Sequence, residues 1–336
     1  LAINEDKGYS ALAIKVKDID PLLDAISDGL QLAKGSTLNF TMNPATNQIA
    51  LRAESDYLER RNMLATKLNM NVTNQGDSLA MYLRAEDFYM STFHLPQLSV
   101  MGGAKNDRVL LTTGFRDTLG ELSGVVSLYA NIFNDATTQQ RRVGVNVLPA
   151  TITSRGRDWK IASSRIQIDT ARIEVERFRI NSDEQELLLE GVMSRHSEDS
   201  LSLRLKDFSI APFMGFASRL GYSVTGVGNG EAHLKAALNR GELTADIDID
   251  SMKVNTTPVA PLCLDSRWDF NQQRARIRVI NRNTRDSIVR GYYAPASKRY
   301  YAEGRFDNIP AAMLDPMLVD IISGTKGVAN AQLEIM

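Results

Sequence analysis

Residues able to do chemistry are present, but their spacing does not form a recognised catalytic or metal site. The three histidines, His94, His196 and His233, lie far apart, and none has the spacing of metal ligands. Cys263 is the single cysteine, so neither an internal disulfide nor a thiolate metal site can form. No Gly-x-Ser-x-Gly elbow of a hydrolase occurs. We therefore expect no metal, no cofactor and no enzymatic activity.

Two glycine-containing segments resemble phosphate-binding loops only superficially. Residues 34–37 (KGST) have the wrong order and lack the upstream glycine, and we interpret Gly35 as a helix-ending glycine. Residues 226–230 (GVGNG) lack the third glycine in register and precede an alternating segment, which favours a turn or bulge.

A third candidate is the carboxylate series Asp246, Asp248 and Asp250, because paired carboxylates are the groups that sugar chemistry uses. Its period of two places all three on one face of one strand. A row of like charges is typical of a solvated outer face, and this is our interpretation.

Composition excludes several classes of function. The 336 residues carry 39 Lys and Arg against 40 Asp and Glu, a net charge of −1 that gives no field for nucleic acid. No apolar run reaches the roughly 18 residues that a membrane-spanning helix needs.

Strict alternation of apolar and polar residues is the dominant pattern, and it predicts antiparallel strands with one apolar face. Residues 200–210 (SLSLRLKDFSI) and 274–279 (RARIRV) are the clearest cases, and the same pattern appears in residues 64–72, 79–83, 161–168, 172–180 and 243–249. Turn signals occur at residues 74–77 and 239–241. Short helices are predicted over residues 21–33, 211–220 and 311–322.

Some segments recur along the chain. The context of Phe208, with Pro212 and then Gly226, matches that of Phe306, with Pro310 and then Gly324, about 100 residues later. We therefore expect residues 1–336 to form one continuous elongated array, with tentative units 1–105, 106–235 and 236–336.

The chain resembles TamB-like translocation and assembly proteins of the AsmA/TamB superfamily, of the Bacteroidetes type. The resemblance is carried by an apolar-Pro opening, a Trp strand and ordered Gly-containing strands, in residues 147–168, 178–180, 189–194, 200–208, 266–269, 289–295 and 323–327.

The resemblance implies a periplasmic body, anchored in the inner membrane by an N-terminal helix and paired with an Omp85-type outer-membrane barrel. It also implies transport of phospholipid between the membranes and a role in outer-membrane biogenesis. The anchor would lie outside this sequence, so we expect the chain to be a periplasmic fragment.

Sequence and resemblance together predict a mainly β fold, in which the strands curl into a half-pipe (a β-taco) with an apolar concave face and a few short helices. Roughly 20 strands at about 4.8 Å would make a pipe on the order of 100 Å long. We expect phospholipid acyl chains to contact the apolar members of these strands, namely Leu201, Leu203, Leu205, Leu243, Ile247, Ile249, Ile277 and Val279.

Other interpretations of the same pattern stay open. These residues also suit an ordinary dry core between two sheets. A scaffold offering strand edges to client outer-membrane proteins fits a long strand array equally well. A carbohydrate-active or adhesive solenoid should carry clustered aromatics, whereas aromatics here are 7% and scattered.

Overall fold

The structure is a computed structural model that describes residues 9–15, 30–60, 63–90, 93–119, 121–134, 141–211, 214, 221–311 and 325–335. The chain divides into two units, Leu1–Ser163 and Ser164–Met336. Neither boundary between the three tentative units of the sequence analysis coincides with this division. In both units the strand pairings are antiparallel, which confirms the prediction of a mainly β fold built from antiparallel strands.

Unit 1 is a meander of long strands. Its strands are β1 (Ser10–Lys15), β2 (Leu30–Leu32), β3 (Thr37–Asn43), β4 (Gln48–Arg60), β5 (Met63–Gln75), β6 (Ser78–Met90), β7 (Phe93–Lys105), β8 (Arg108–Arg116), β9 (Leu122–Asn134), β10 (Arg141–Val147), β11 (Ala150–Ser154) and β12 (Arg157–Ile161). From β3 to β10 each strand pairs with the next. β1 pairs with β3, β2 with β4, and β11 with both β9 and β12.

Tight turns fix the register of this meander. Asn106 and Asp107 join β7 to β8, and both have positive φ angles, of 50° and 58°. Two successive residues of positive φ are what a two-residue hairpin requires, because that backbone twist matches the twist of the strands. Gly76, with φ of 57°, lies in the turn from β5 to β6, so the turn predicted at residues 74–77 is confirmed.

Unit 2 is built in the same way, from antiparallel strands of similar length. These are β13 (Ser164–Ile168), β14 (Ile173–Ser182), β15 (Gln185–Met193), β16 (Ser200–Ser209), β17 (Val224–Lys235), β18 (Glu242–Val254), β19 (Thr257–Pro258), β20 (Leu262–Asp269), β21 (Arg274–Asn281), β22 (Ser287–Ala294), β23 (Arg299–Pro310) and β24 (Val328–Ile335). Each pairs with its successor along the chain, except that β18 pairs with both the short β19 and β20.

β-Bulges interrupt the ladder at residues in the left-handed region. Asp207 (φ 45°) lies in the bulge between Leu205 and Phe208, and Asn308 (φ 57°) lies in the bulge between Phe306 and Ile309. A bulge adds one residue to one strand and so shifts the alternation of faces in that strand by one residue on its far side. The similar contexts of Phe208 and Phe306 thus share a bulge, although it precedes the first phenylalanine and follows the second.

Three details of the sequence analysis were wrong. Leu30–Leu32 is a strand and not a helix end, since it pairs with β4 and alternates half-buried Leu30 and Leu32 with exposed Gln31. Gly35 therefore lies in the turn from β2 to β3, with φ of 93°, and ends no helix. Residues 161–168 are not one strand: β12 ends at Ile161 and β13 begins at Ser164, whose hydroxyl donates to the Glu176 carbonyl oxygen at 2.9 Å.

The remaining helix predictions lie almost wholly outside the described residues. This holds for residues 21–29, for 211–220 except Ala211 and Met214, and for 311–322 except Ala311. No helix in the described part of the chain is long and apolar enough to cross a membrane.

The best-buried cluster belongs to unit 1. Ala85 is fully buried beside Ala65 and Leu98, and the half-buried residues Leu68, Leu83, Phe88, Leu95 and Val100 surround them. Small side chains at the centre allow three neighbouring strands to pack their larger side chains around one point.

Candidate functional site

One face of the sheet in unit 2 carries apolar residues across nine strands, namely β15 to β18 and β20 to β24. Directly paired residues of antiparallel strands point to the same face, so the register defines rows that run from strand to strand. The longest row runs from β15 to β24 through Leu187, Leu205, Gly230, Ile247, Leu264, Val279, Val289, Gly304 and Leu333.

A second row lies two residues along each strand on the same face. It consists of Leu189, Leu203, Ala232, Ala245, Ser266, Ile277, Gly291, Ala302 and Ile335. Ser266 is its single polar member, and it is 2% exposed with its hydroxyl donating to the Leu243 carbonyl oxygen at 3.4 Å. We call the surface formed by these two rows the apolar face of unit 2.

All eight residues predicted from alternation lie on this face. Leu203, Leu205, Ile247, Ile277 and Val279 are members of the two rows. The other three flank them: Leu201 and Leu243 both pair with Leu234, and Ile249 pairs with Leu262.

Sequence reasoning missed other members, among them Leu187, Leu264, Val289 and Leu333. They lie in strands with short or broken alternation, and the cross-strand register is what assigns them to this face.

The apolar face is only partly covered. Leu205 is 7% exposed, but the other seven predicted residues are half-buried. At the β24 end, Leu333 is 49% exposed and Ile335 is 45% exposed. Leucine and isoleucine in a dry core between two sheets are usually buried far more completely. The pattern therefore favours an open apolar surface over a sealed core for most of these positions.

Glycines allow close approach of neighbouring strands within the rows. A Cβ on Gly230, whose φ is 141°, would overlap the Asp246 carbonyl oxygen, and one on Gly291 would overlap the Tyr301 carbonyl oxygen. Side chains are thus excluded at these points, and the rows contain shallow gaps between larger apolar neighbours.

The opposite face of the same strands is charged. Arg204 Nε lies 2.7 Å from Glu231 Oε1, and this hydrogen bond lowers the pKa of Glu231. Asp246 pairs with Arg267 at 3.4 Å, and Asp248 and Asp250 pair with Arg282 at 3.3 and 2.9 Å. The three aspartates therefore lie on the outer face, in ion pairs, as the sequence analysis predicted.

Unit 1 carries an apolar face of its own, which sequence reasoning did not single out. One row runs from β3 to β10 through Phe40, Leu51, Val72, Met81, Gly102, Leu111, Leu128 and Val147, and Leu12 of β1 pairs with Phe40. All of these residues are half-buried. Methionine and glycine weaken the alternation here, so the register was needed to find the row.

The histidines are held by separate local contacts. His94 Nε2 lies 2.7 Å from Asp87 Oδ1, with its ring stacked on Tyr89, and His233 Nδ1 lies 2.9 Å from the Ser202 hydroxyl. His196 lies in the connection between β15 and β16. Within the described ranges no three His, Cys, Asp or Glu side chains are grouped to hold a metal ion. Residues 226–230 lie within β17, where the sequence favoured a turn or a bulge. The register against β18 shifts at Gly226, but the extra residue of this bulge belongs to β18, where Ser251 has a φ of 51°.

The lone thiol is unsuited to nucleophilic work at neutral pH. Burial raises the pKa of Cys263 to about 11, and the carboxylates of Asp246 and Asp248 contribute in the same direction. A thiol attacks as its thiolate, so this environment suppresses its reactivity.

Compared with protein-family models, curated proteins and solved structures, the chain matches none of them.

Proposed function

We propose that this chain is a non-enzymatic, periplasmic lipid-conduit segment of a TamB-like envelope protein, which binds phospholipid acyl chains along its apolar faces. The full-length protein would be anchored in the inner membrane and would pair with an Omp85-type barrel during outer-membrane biogenesis. The observation that carries the proposal is the apolar face of unit 2, whose rows cross strand after strand while most of their members stay half-exposed.

The dimensions of this face suit acyl chains. Neighbouring strands lie about 4.8 Å apart, so a row from β15 to β24 measures on the order of 40 Å. One acyl chain spans about half of the roughly 30 Å hydrocarbon core of a bilayer. Each row is therefore long enough to hold two acyl chains placed end to end.

The energetics also favour this ligand. Burial of a methylene group is worth about 0.8 kcal/mol, so an acyl chain that leaves water gains on the order of 10 kcal/mol. A row of similar apolar side chains offers nearly equal binding at each position. Movement along such a row needs little change in free energy, which is what a conduit requires.

A scaffold for client outer-membrane proteins is the second candidate, and one observation favours it. Among the described strands of unit 2, β24 pairs with β23 alone, and Val328 in β24 is 70% exposed. A free strand edge can accept another strand by backbone hydrogen bonds. This mode depends on the edge of β24 and not on the apolar rows.

Lipid extraction and mass spectrometry of the purified chain test the proposal. We expect phospholipid to co-purify with the wild type and to be lost from a double variant, Leu203→Asp with Ile247→Asp, which places two charges on the apolar face. The control is Ser202→Asp with Thr244→Asp, since both of these residues lie on the opposite face of the same two strands. The control should retain its lipid.

A milder variant tests whether the loss of lipid is caused by misfolding of the chain. Val279→Thr with Ile277→Thr keeps branched side chains that favour strands but adds two hydroxyl groups to the rows. We expect reduced lipid with unchanged circular dichroism. If the wild type carries no lipid under gentle purification and binds no fluorescent phospholipid, the conduit proposal fails and the strand-binding scaffold becomes the leading candidate.

A further inference from the structure

The charged face of unit 2 contains a cavity of about 440 Å³ lined mainly by arginines and tyrosines of β20 to β23. Five guanidinium groups border it, from Arg267, Arg274, Arg276, Arg278 and Arg290. This local concentration of positive charge needs an explanation because the chain as a whole is nearly neutral, with a net charge of −1.

Three of the five guanidinium groups are neutralised within the protein. Asp265 Oδ1 lies 2.8 Å from Arg278 Nη2, and Asp265 Oδ2 lies 3.0 Å from Arg267 Nη2. Arg276 Nε lies 3.3 Å from Asp269 Oδ2. Asp246 Oδ2 also lies 3.4 Å from Arg267 Nη2, so three carboxylates balance these three arginines and leave the positive charge of the other two unbalanced.

Arg274 and Arg290 contact no carboxylate among the described residues. The Arg274 guanidinium carbon lies 4.2 Å from the centroid of the Tyr292 ring, and its Nε is buried without a hydrogen-bond partner. Arg290 is exposed two positions before Tyr292 on β22. Glu303 pairs with Arg290 in the strand register, but its carboxylate instead accepts a hydrogen bond from the Tyr301 hydroxyl at 3.0 Å.

Two tyrosine rings, those of Tyr292 and Tyr301, line the cavity beside the guanidinium groups. Tyr292 and Tyr301 stack with centroids 5.9 Å apart, and Tyr292 supports the Arg274 guanidinium from one face. A guanidinium stacked on an aromatic ring keeps its in-plane N–H donors free for an incoming acceptor.

We propose that this cavity is a binding site for a phosphate group on an organic molecule, with Arg274 and Arg290 as its principal ligands. Phosphate oxygens match the planar donors of arginine, and their charge compensates the two unpaired guanidinium groups. The volume of about 440 Å³ exceeds that of a phosphate group, which leaves room beside the tyrosines for the organic part of the ligand. The site is on the face opposite the apolar rows and does not depend on the lipid proposal.

Calorimetric titration of the intact chain with sn-glycerol 3-phosphate tests the site. We expect saturable binding by the wild type, weakened at least tenfold in the double variant Arg274→Ala with Arg290→Ala. The matched control is Arg177→Ala with Arg305→Ala, which removes the same charge from two exposed arginines that lie outside the cavity. The control should bind like the wild type.

A second arm distinguishes a lipid headgroup from a free phosphate ester. Vesicles of dioleoylphosphatidylglycerol are sedimented with the protein in the presence and absence of sn-glycerol 3-phosphate. Competition between the two indicates that the site also accepts a headgroup, whereas glycerol phosphate binding without vesicle binding indicates a soluble ligand.

Two results would overturn the inference. One is that the wild type binds neither probe. The other is that the control double variant loses as much binding as the cavity double variant, since the attraction would then be a general effect of charge. The Leu203→Asp, Ile247→Asp variant should keep the phosphate site, so failure of the lipid proposal and failure of this one are separable.

Discussion

Gly230 on β17 lies directly opposite Ile247 on β18, so close that a Cβ on Gly230 would stand 2.8 Å from the Ile247 Cα. The backbone at Gly230 has a φ of 141°, a conformation that residues with side chains rarely adopt. Gly230 therefore combines a close approach of the β18 backbone with an unusual φ angle, in the middle of the apolar face of unit 2.

Gly230→Ala should destabilise unit 2 by at least about 2 kcal/mol, because the new methyl group would collide with the β18 backbone. Urea unfolding followed by tryptophan fluorescence measures this. The chain has two tryptophans, so a Trp159→Phe background leaves Trp268 of unit 2 as the reporter.

The control for this prediction is Gly241→Ala, which also lies in unit 2. Gly241 has a positive φ, of 64°, but a Cβ there would lie 3.5 and 3.6 Å from Pro295 side-chain atoms, which is ordinary van der Waals contact. The control substitution should lower the free energy of unfolding by about 1 kcal/mol. Equal losses for the two variants would show that the contact with β18 contributes nothing beyond the backbone strain.

Ala85→Leu should destabilise unit 1 by about 1–3 kcal/mol through overpacking. Ala85 is 0% exposed and packs beside Ala65 and Leu98, which leaves no room for three further carbon atoms. Ala80→Leu on the same strand is the control, since Ala80 is exposed. Thermal unfolding followed by circular dichroism should show a lower midpoint for Ala85→Leu alone. A cluster that tolerates the larger side chain without such a shift is more loosely packed than the structure indicates.

Alkylation of Cys263 by iodoacetamide should be slow at neutral pH. Its pKa is raised to about 11, chiefly by burial and further by Asp246 and Asp248, so roughly one thiol in a thousand is ionised at pH 8. The rate should rise about tenfold per pH unit from pH 8 to 10.

Asp246→Asn should lower the pKa of Cys263 and so increase the alkylation rate at pH 8, because one repulsive charge is removed. The protein unfolded in guanidinium chloride provides the reference for an ordinary thiol. A rate that levels off near pH 9 in the folded wild type would contradict the raised pKa.

Asp265→Asn should strengthen binding of sn-glycerol 3-phosphate at the arginine cavity. The carboxylate lies against both Arg278 and Arg267, and its loss frees positive charge for the ligand. The same change should cost stability, about 1–3 kcal/mol, because Asp265 is 8% exposed and hydrogen bonded to Arg278. Titration and urea unfolding of one protein sample therefore test both effects.

Asp307→Asn is the matched control for Asp265→Asn. Among the residues that the structure describes, Asp307 forms an ion pair only with the exposed Arg305, at 3.4 Å, and it lies outside the cavity. Neither phosphate binding nor stability should change appreciably. Unchanged phosphate binding in Asp265→Asn would show that the cavity charge does not govern affinity.

The fold class and the two-sided character of the strands could be predicted from the local sequence. Alternation at Leu201, Leu203 and Leu205 is a local property, since successive side chains of a strand must point to opposite faces. Leu205 and its neighbours were therefore assigned to the apolar side correctly without any knowledge of their partners. The same reasoning placed Asp246 on the charged side.

Which strands pair, and in what register, could be learned only from the three-dimensional arrangement of the chain. Local periodicity made Leu30–Leu32 look helical, whereas pairing with β4 makes it a strand. The bulge at Asp207 and the need for glycine at position 230 can be recognised only when the position of the neighbouring strand is known.

The arginine cavity likewise could not be predicted from the sequence. Arg274 and Arg290 come from β21 and β22, and both line this cavity because of the hydrogen-bond register between these strands. Alternation along one strand fixes the face on which a side chain lies, but it carries no information about the residue that lies opposite.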